Sequence, residues 1–224
     1  MIKCWCMTPI KKSSTKVQES FRRGKLAENL CAKHISSFIR DNTNEDLTVE
    51  FIIETGLLKN KCNNVAAVSP DNIAIIKICN ATTKVGKKIL KIMEDNCYYD
   101  SALQDSGIHA FMCCLEYKNK NSEITLNKAR YIVEVDLKKE LVVVIDLSIQ
   151  DNIQLFHKIV PEPDYRFQIL HELVISEVYF NLYVVTTSKI EYAVFVYIPP
   201  EIRDMYKIMM ADIEKNLSFV DVQR

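Results

Sequence analysis

The chain has 224 residues, of which 48% are hydrophobic and 26% charged, so it carries enough apolar material to form the core of one globular domain. Its 29 basic and 29 acidic residues cancel, which removes net charge as an indicator of nucleic-acid or membrane binding. No apolar run reaches the roughly 18 residues of a membrane-spanning helix, and no secretory signal is recognisable, so we expect an intracellular protein of the nucleus or cytoplasm.

The first 80 residues contain one predicted helix followed by three predicted strands. Apolar residues recur every three or four positions across residues 15–39, which places them along one face of a helix. Glu28 falls on the same face, seven positions after Phe21. Runs rich in β-branched residues predict strands at 47–54, 64–69 and 73–79. The turn-forming residues 69–72 separate the last two strands.

The rest of the chain alternates between predicted helices and predicted strands. A helix is predicted near 84–94, inside a mixed polar segment at 80–107. Further strands are predicted at 109–118, 131–137, 141–147, 180–187 and 191–198. Further helices are predicted at 164–178 and, after a Pro-Pro pair, near 200–216. This order predicts a single α/β domain over 1–224, with a central mixed β-sheet flanked by helices.

Three acidic residues stand where a purely structural core would not place them. Glu28 lies on the apolar face of the first helix, Asp71 follows a proline at a strand–turn junction, and Glu116 ends an apolar run in the strand 109–118. Buried carboxylates need a cation or hydrogen-bond donors, and carboxylates that meet in space suit Mg²⁺ or Mn²⁺. Lys118 shares the strand face of Glu116, where it could orient an attacking water molecule.

Each of these residues also has an ordinary interpretation, and those alternatives stay open. Glu28 could be a helix-surface charge paired with a neighbouring cation, and Asp71 could serve only the turn. Glu116 and Lys118 could form a surface pair worth at most about 1 kcal/mol, although the apolar residues before them argue against it. Three further acids are reserve candidates that fit solvated positions better: Glu134, Asp136 and Asp146.

Four stretches of the sequence resemble the PD-(D/E)xK nucleases, and more narrowly their lambda-exonuclease-like (YqaJ viral recombinase) group. They are RRGKLAENLCAKHI (22–35), ETGLLKNKCNNVAAVSPDNIAII (54–76), CCLEYKNKNSEITLNKA (113–129) and DYRFQILHELVISEVYFNLYVVTT (164–187). The stretches occur in the order typical of that group, each on the expected type of element. The gap of 45 residues between positions 71 and 116 is longer than the usual hairpin, which predicts an insertion at 80–107.

The resemblance implies a restriction-endonuclease-like core and a Mg²⁺- or Mn²⁺-dependent deoxyribonuclease. Its expected substrate is linear duplex DNA, cut exonucleolytically in recombination, repair, or viral or mobile-element DNA processing. By matching position, the metal ligands would be Asp71, Glu116 and Glu28. Lys118 would be the water-orienting base, and Gln168 would support the lysine or the water. The residues expected to contact DNA are Arg22, Arg23, Lys25 and Tyr165.

Two other functions are compatible with the same sequence. The first is a catalytically inactive nuclease fold that binds nucleic acid in its groove. The second is a protein-interaction module whose acidic residues are ordinary salt-bridge partners. Oligomerisation is possible, but no surface in the sequence indicates it.

Overall fold

The computed structural model of the chain describes residues 15–59, 67–96, 109–119 and 122–221. The strands in these ranges are β1 (Leu47–Ile53), β2 (Leu58–Lys59), β3 (Ala67–Val68), β4 (Asn72–Ile78), β5 (His109–Asn119), β6 (Val142–Asp146), β7 (Phe180–Thr186) and β8 (Ile190–Tyr197). The α-helices are α1 (Thr15–Asn42), α2 (Lys84–Asp95), α3 (Glu123–Tyr131), α4 (Gln150–Ile159), α5 (Pro163–Ile175) and α6 (Pro200–Asp221). The sequence predictions for residues 64–66 and 97–107 lie outside the described residues.

Six of the described strands form one mixed sheet in the order β1–β4–β5–β7–β8–β6, and β2 pairs with β3 as a separate ribbon. β4 runs antiparallel to both β1 and β5, whereas β5 is parallel to β7 and β6 is parallel to β8. β7 and β8 are buried along nearly their whole length, which fits their predominantly apolar sequences. The predicted architecture is confirmed: the protein is α/β, with a mixed sheet flanked by helices, consistent with a restriction-endonuclease-like core.

Two clusters of buried apolar residues pack the helices onto the sheet. The first cluster joins α1 and α2 to the sheet through residues that include Ile35 and Ile89. The second joins α4 and α5 to the sheet through residues that include Phe156 and Leu173. Since both clusters contain strand residues, each face of the sheet is covered by helices. None of the helices in the described part of the chain is long and apolar enough to cross a membrane.

The alternation of side chains along β5 determines where its charged residues point. Leu115 and Tyr117 belong to the first cluster, whereas Cys114 belongs to the second. Because successive side chains of a strand point to opposite faces, Glu116 and Lys118 share the face of Cys114. This is the face that α5 covers, so the two charged side chains are directed toward α5.

α2 lies within the segment that the sequence predicts as an insertion. Its residues Ile89 and Met93 are fully buried in the first cluster, so α2 packs as part of the core. The loop before α2 is held by Asp46, whose Oδ2 accepts hydrogen bonds from the backbone N–H groups of Thr82 and Thr83 at 2.9 and 2.6 Å. Thr83 also caps the helix, because its side chain accepts from the backbone N–H of Gly86 at 3.1 Å.

The predicted strand at 131–137 is wrong. These residues form the end of α3 and a π-helical segment, Ile132–Asp136. In a strand, the residues at 131, 133 and 135 would share a buried face, but Tyr131 and Val135 are 60% and 51% exposed. Ile132 and Leu137 are buried in the second cluster instead, so tertiary packing overrides the β propensity of the local sequence. The sequence interpretation also missed α3 and α4.

Candidate metal and catalytic site

Strand register brings Asp71 to the middle of the candidate site. Asn72 pairs with Leu115 in the antiparallel ladder between β4 and β5, so Asp71 lies one step further along, at the level of Glu116. Its Oδ2 accepts a hydrogen bond from the backbone N–H of Tyr117 at 2.7 Å. This bond links the proline-containing turn to β5 and fixes the Asp71 carboxylate beside Glu116 and Lys118.

Glu116 is an almost fully buried carboxyl group, with 2% of the residue exposed. Its Oε1 accepts a hydrogen bond from Lys118 Nζ, while its Oε2 receives none from any donor group in the described residues. Burial raises the pKa of Glu116, and the negative charge of Asp71 raises it further, while Lys118 acts in the opposite direction. Among the described residues, Oε2 of Glu116 thus has no hydrogen-bond partner unless the adjacent Glu172 carboxyl supplies its proton.

Lys118 is held as a cation. Burial alone would lower the pKa of its amine, but the charges of Glu116 and Asp71 outweigh burial and raise it above the ordinary value. The ammonium lies 4.4 Å from the centre of the Tyr165 ring, a cation–π contact. Tyr165, expected to contact DNA, thus also contacts the predicted catalytic lysine.

Glu28 approaches the same place from α1 and is half-buried. Burial raises the pKa of its carboxyl, the charge of Asp71 raises it further, and Lys25 and Lys118 lower it. The charges of Asp71 and Lys118 thus reach the Glu28 carboxyl. The structure therefore places Asp71, Glu116 and Lys118 together at one end of β4 and β5, with Glu28 near enough for its pKa to be affected by Asp71 and Lys118.

Gln168 lies on α5, and its amide contacts a residue that the prediction did not include. Its Nε2 donates a hydrogen bond to Glu172 Oε1 at 2.9 Å. Glu172 is 1% exposed, and burial together with the charge of Glu116 raises the pKa of Glu172 to about 9. At neutral pH this shift favours the protonated form of Glu172.

Sequence reasoning missed Glu172 as a member of this group. The available signal was its spacing: it lies four residues after Gln168, hence on the same face of a helix, and hydrophobic residues surround it in the sequence LHELVI. The same reasoning that singled out Glu116 in an apolar strand applies to an acid in an apolar helix.

The basic residues expected to contact DNA lie on α1. Arg22 and Lys25 are exposed, and Lys25 is close enough to Glu28 to affect its pKa. The side chain of Arg23 lies outside the described residues.

The carboxylates suit a hard divalent cation in chemistry, but they do not form a preassembled cage. Among the described residues, no group of three or more His, Cys, Asp or Glu side chains is gathered closely enough to hold a metal ion. Mg²⁺ usually keeps several waters and needs only one or two protein carboxylates. The carboxylates of Asp71 and Glu116 meet that smaller requirement in number and type, so the residues fit a partly hydrated Mg²⁺ or Mn²⁺ ion.

Comparisons with known proteins identify no relative. No family model matches the chain, no curated protein is found to be similar, and no solved structure matches. The resemblance to the PD-(D/E)xK nucleases therefore stays a prediction from the four sequence stretches.

Proposed function

We propose that the protein is a Mg²⁺- or Mn²⁺-dependent deoxyribonuclease of PD-(D/E)xK type that acts on linear duplex DNA. Its role would be in recombination, repair, or viral or mobile-element DNA processing. The observation that carries the proposal is the meeting of Asp71, Glu116 and Lys118 at one end of two adjacent antiparallel strands. Two carboxylates and one amine are the groups that metal-assisted phosphodiester hydrolysis needs.

Each residue has a distinct task in this reaction. A bound divalent ion would supply charge neutralisation at the scissile phosphate and activation of a water molecule. Asp71 and Glu116 would hold that ion, and Glu28 would add a carboxylate from α1. Because its pKa is raised, Lys118 acts as a cation that orients the water and stabilises negative charge, rather than as a proton acceptor.

A cleavage assay tests this proposal directly. The substrates are a fluorescently labelled linear duplex and a closed circle of the same sequence, each with Mg²⁺, with Mn²⁺ or with EDTA. We expect metal-dependent cleavage of the linear duplex, and resistance of the circle if cleavage starts from ends. Glu116→Gln and Lys118→Met should each reduce the rate at least about 100-fold.

Matched surface variants control for general effects of the substitutions. Glu134 is an exposed acid paired with Lys139 at 3.6 Å, and Lys91 is an exposed amine paired with Asp95 at 3.0 Å. Glu134→Gln and Lys91→Met should cut DNA at the wild-type rate. The proposal is wrong if purified, folded wild-type protein cuts neither substrate with either metal, or if Glu116→Gln keeps full activity.

A second candidate is an inactive nuclease fold that binds nucleic acid or a protein. It is favoured by the absence of a preassembled three-ligand group among the described residues and by the engagement of Glu116 Oε1 with Lys118. Fluorescence anisotropy with the same labelled duplex distinguishes the candidates. DNA binding that is insensitive to Glu116→Gln, without cleavage, would support the inactive module.

A further inference from the structure

Glu172 is a buried acidic residue to which the proposed reaction assigns no task. It lies on α5 one turn after Gln168, and it is 1% exposed. A carboxyl group in such a position is costly unless each oxygen has a partner. The partners of Glu172 therefore indicate what the residue does.

Both oxygens of Glu172 are engaged by amide groups. Gln168 Nε2 donates to Oε1 at 2.9 Å, and Asn181 Nδ2 donates to Oε2 at 3.0 Å. Asn181 is fully buried on β7, where it pairs in register with Cys114 of β5. Glu172 thus ties α5 to the centre of the sheet, two residues before Glu116 along β5.

The Glu172 carboxyl also lies beside that of Glu116, close enough for a hydrogen bond between the two groups. Lys118 holds Glu116 from the other side through Oε1. Glu116 therefore lies between Lys118, which engages one of its oxygens, and the Gln168–Glu172–Asn181 chain. Neutral hydrogen-bonded neighbours such as this chain orient a ligating carboxylate and typically change metal affinity by about 10- to 100-fold when removed.

We propose that Glu172 and Asn181 are positioning residues, which hold Glu116 and Gln168 in the orientation that divalent-ion binding requires. This inference rests on the proposed function. The competing explanation is that the two residues only stabilise the contact between α5 and β7. The two explanations differ in what they predict for metal affinity.

The test measures Mn²⁺ binding by calorimetry, kcat and KM on the linear duplex, and the melting temperature. Glu172→Leu and Asn181→Leu should each raise the Mn²⁺ Kd by about 10- to 100-fold and lower kcat, with little change in KM for DNA. Glu172→Gln keeps the shape of the side chain and one acceptor oxygen, so its Mn²⁺ Kd should lie between the wild-type and Glu172→Leu values.

Thr43→Val supplies the matched structural control. Thr43 is fully buried at the end of α1, where its hydroxyl donates to the backbone oxygen of Ile39 at 2.8 Å. Its loss should lower the melting temperature while leaving the Mn²⁺ Kd and kcat unchanged. If a leucine variant does not fold, the near-isosteric Glu172→Gln decides the question.

Two different results would overturn the inference. If Glu172→Gln and Asn181→Leu are less stable but keep the wild-type Mn²⁺ Kd and kcat within about twofold, the residues are merely structural and the proposed function stands. If the wild-type protein neither binds Mn²⁺ nor cuts DNA, both this inference and the proposed function fail.

Discussion

Replacing Glu172 with glutamine should change how the stability of the metal-free protein depends on pH. The folded protein holds the pKa of Glu172 at about 9, against an ordinary value of 4.5, because the carboxyl is buried next to the charge of Glu116. Between these two values the folded state binds a proton that the unfolded state has released. Stability therefore falls as pH rises through this window, and it is highest near the acidic end.

The size of the effect follows from the number of protons involved. One extra proton in the folded state changes the free energy of unfolding by about 1.4 kcal/mol per pH unit. From pH 6 to pH 8 the contribution of Glu172 is thus a loss of roughly 3 kcal/mol. Glutamine cannot ionise, so Glu172→Gln should remove this slope, while its altered hydrogen bonds should cost about 1 kcal/mol relative to the protonated form of Glu172.

Urea unfolding followed by circular dichroism, at pH 6, 7 and 8 in EDTA, measures how the free energy of unfolding depends on pH for wild type and for Glu172→Gln. The expected result is that the Glu172→Gln variant is about 1 kcal/mol more stable than wild type at pH 6, because ionisation of the unfolded chain already costs wild type about 2 kcal/mol there. Its advantage should grow by roughly 3 kcal/mol by pH 8. Glu134→Gln, an exposed acid with 60% of its side chain accessible, should follow the wild-type curve. Parallel pH dependences for wild type and Glu172→Gln would refute the assignment of a buried, protonated carboxyl at position 172.

Three shorter predictions test other parts of the structure. Gly86→Ala should destabilise the protein in thermal unfolding despite the better helix propensity of alanine, because the new Cβ would lie 2.5 Å from Asp46 Oδ2. Gly24→Ala is the control: its Cβ would have open space, so it should stabilise α1 by about 0.5–1 kcal/mol. Tyr183→Phe should leave the free energy of unfolding in urea unchanged or raise it, because the buried Tyr183 hydroxyl has no hydrogen-bond partner in the described residues. A decrease of more than about 1 kcal/mol would contradict this. Lys118→Met should lose cleavage, yet bind Mn²⁺ about tenfold more tightly in calorimetry, because the ammonium no longer competes with the ion for Glu116. Weaker Mn²⁺ binding would show instead that Lys118 supports the ion.

Local sequence patterns were sufficient for the elements that carry the predicted site. The apolar spacing of α1 and the turn before β4 placed Glu28 and Asp71 on the correct kinds of element. β5 was predicted from its apolar run, which is why the same-face relation of Glu116 and Lys118 could be stated beforehand. These predictions succeeded because periodicity is a property of neighbouring residues.

Contacts between distant residues could not be predicted in this way. The bond from the Tyr117 N–H to Asp71 joins residues 46 positions apart, and it depends on how β4 pairs with β5. The bond from Asn181 to Glu172 similarly depends on α5 packing over β7. A motif can suggest that such residues meet, but pairing and packing determine which atoms touch.

The sequence by itself determined the α/β class, most of the helices and strands, and the four residues Glu28, Asp71, Glu116 and Lys118 as a candidate set. Only the tertiary structure decided that residues 131–136 are helical, that Gln168 supports Glu172, and that Glu172 is a buried member of the group. The physical reason is that burial and long-range hydrogen bonding depend on which surfaces come together. Those interactions decide the pKa of a carboxyl and can override the preference of a β-rich segment.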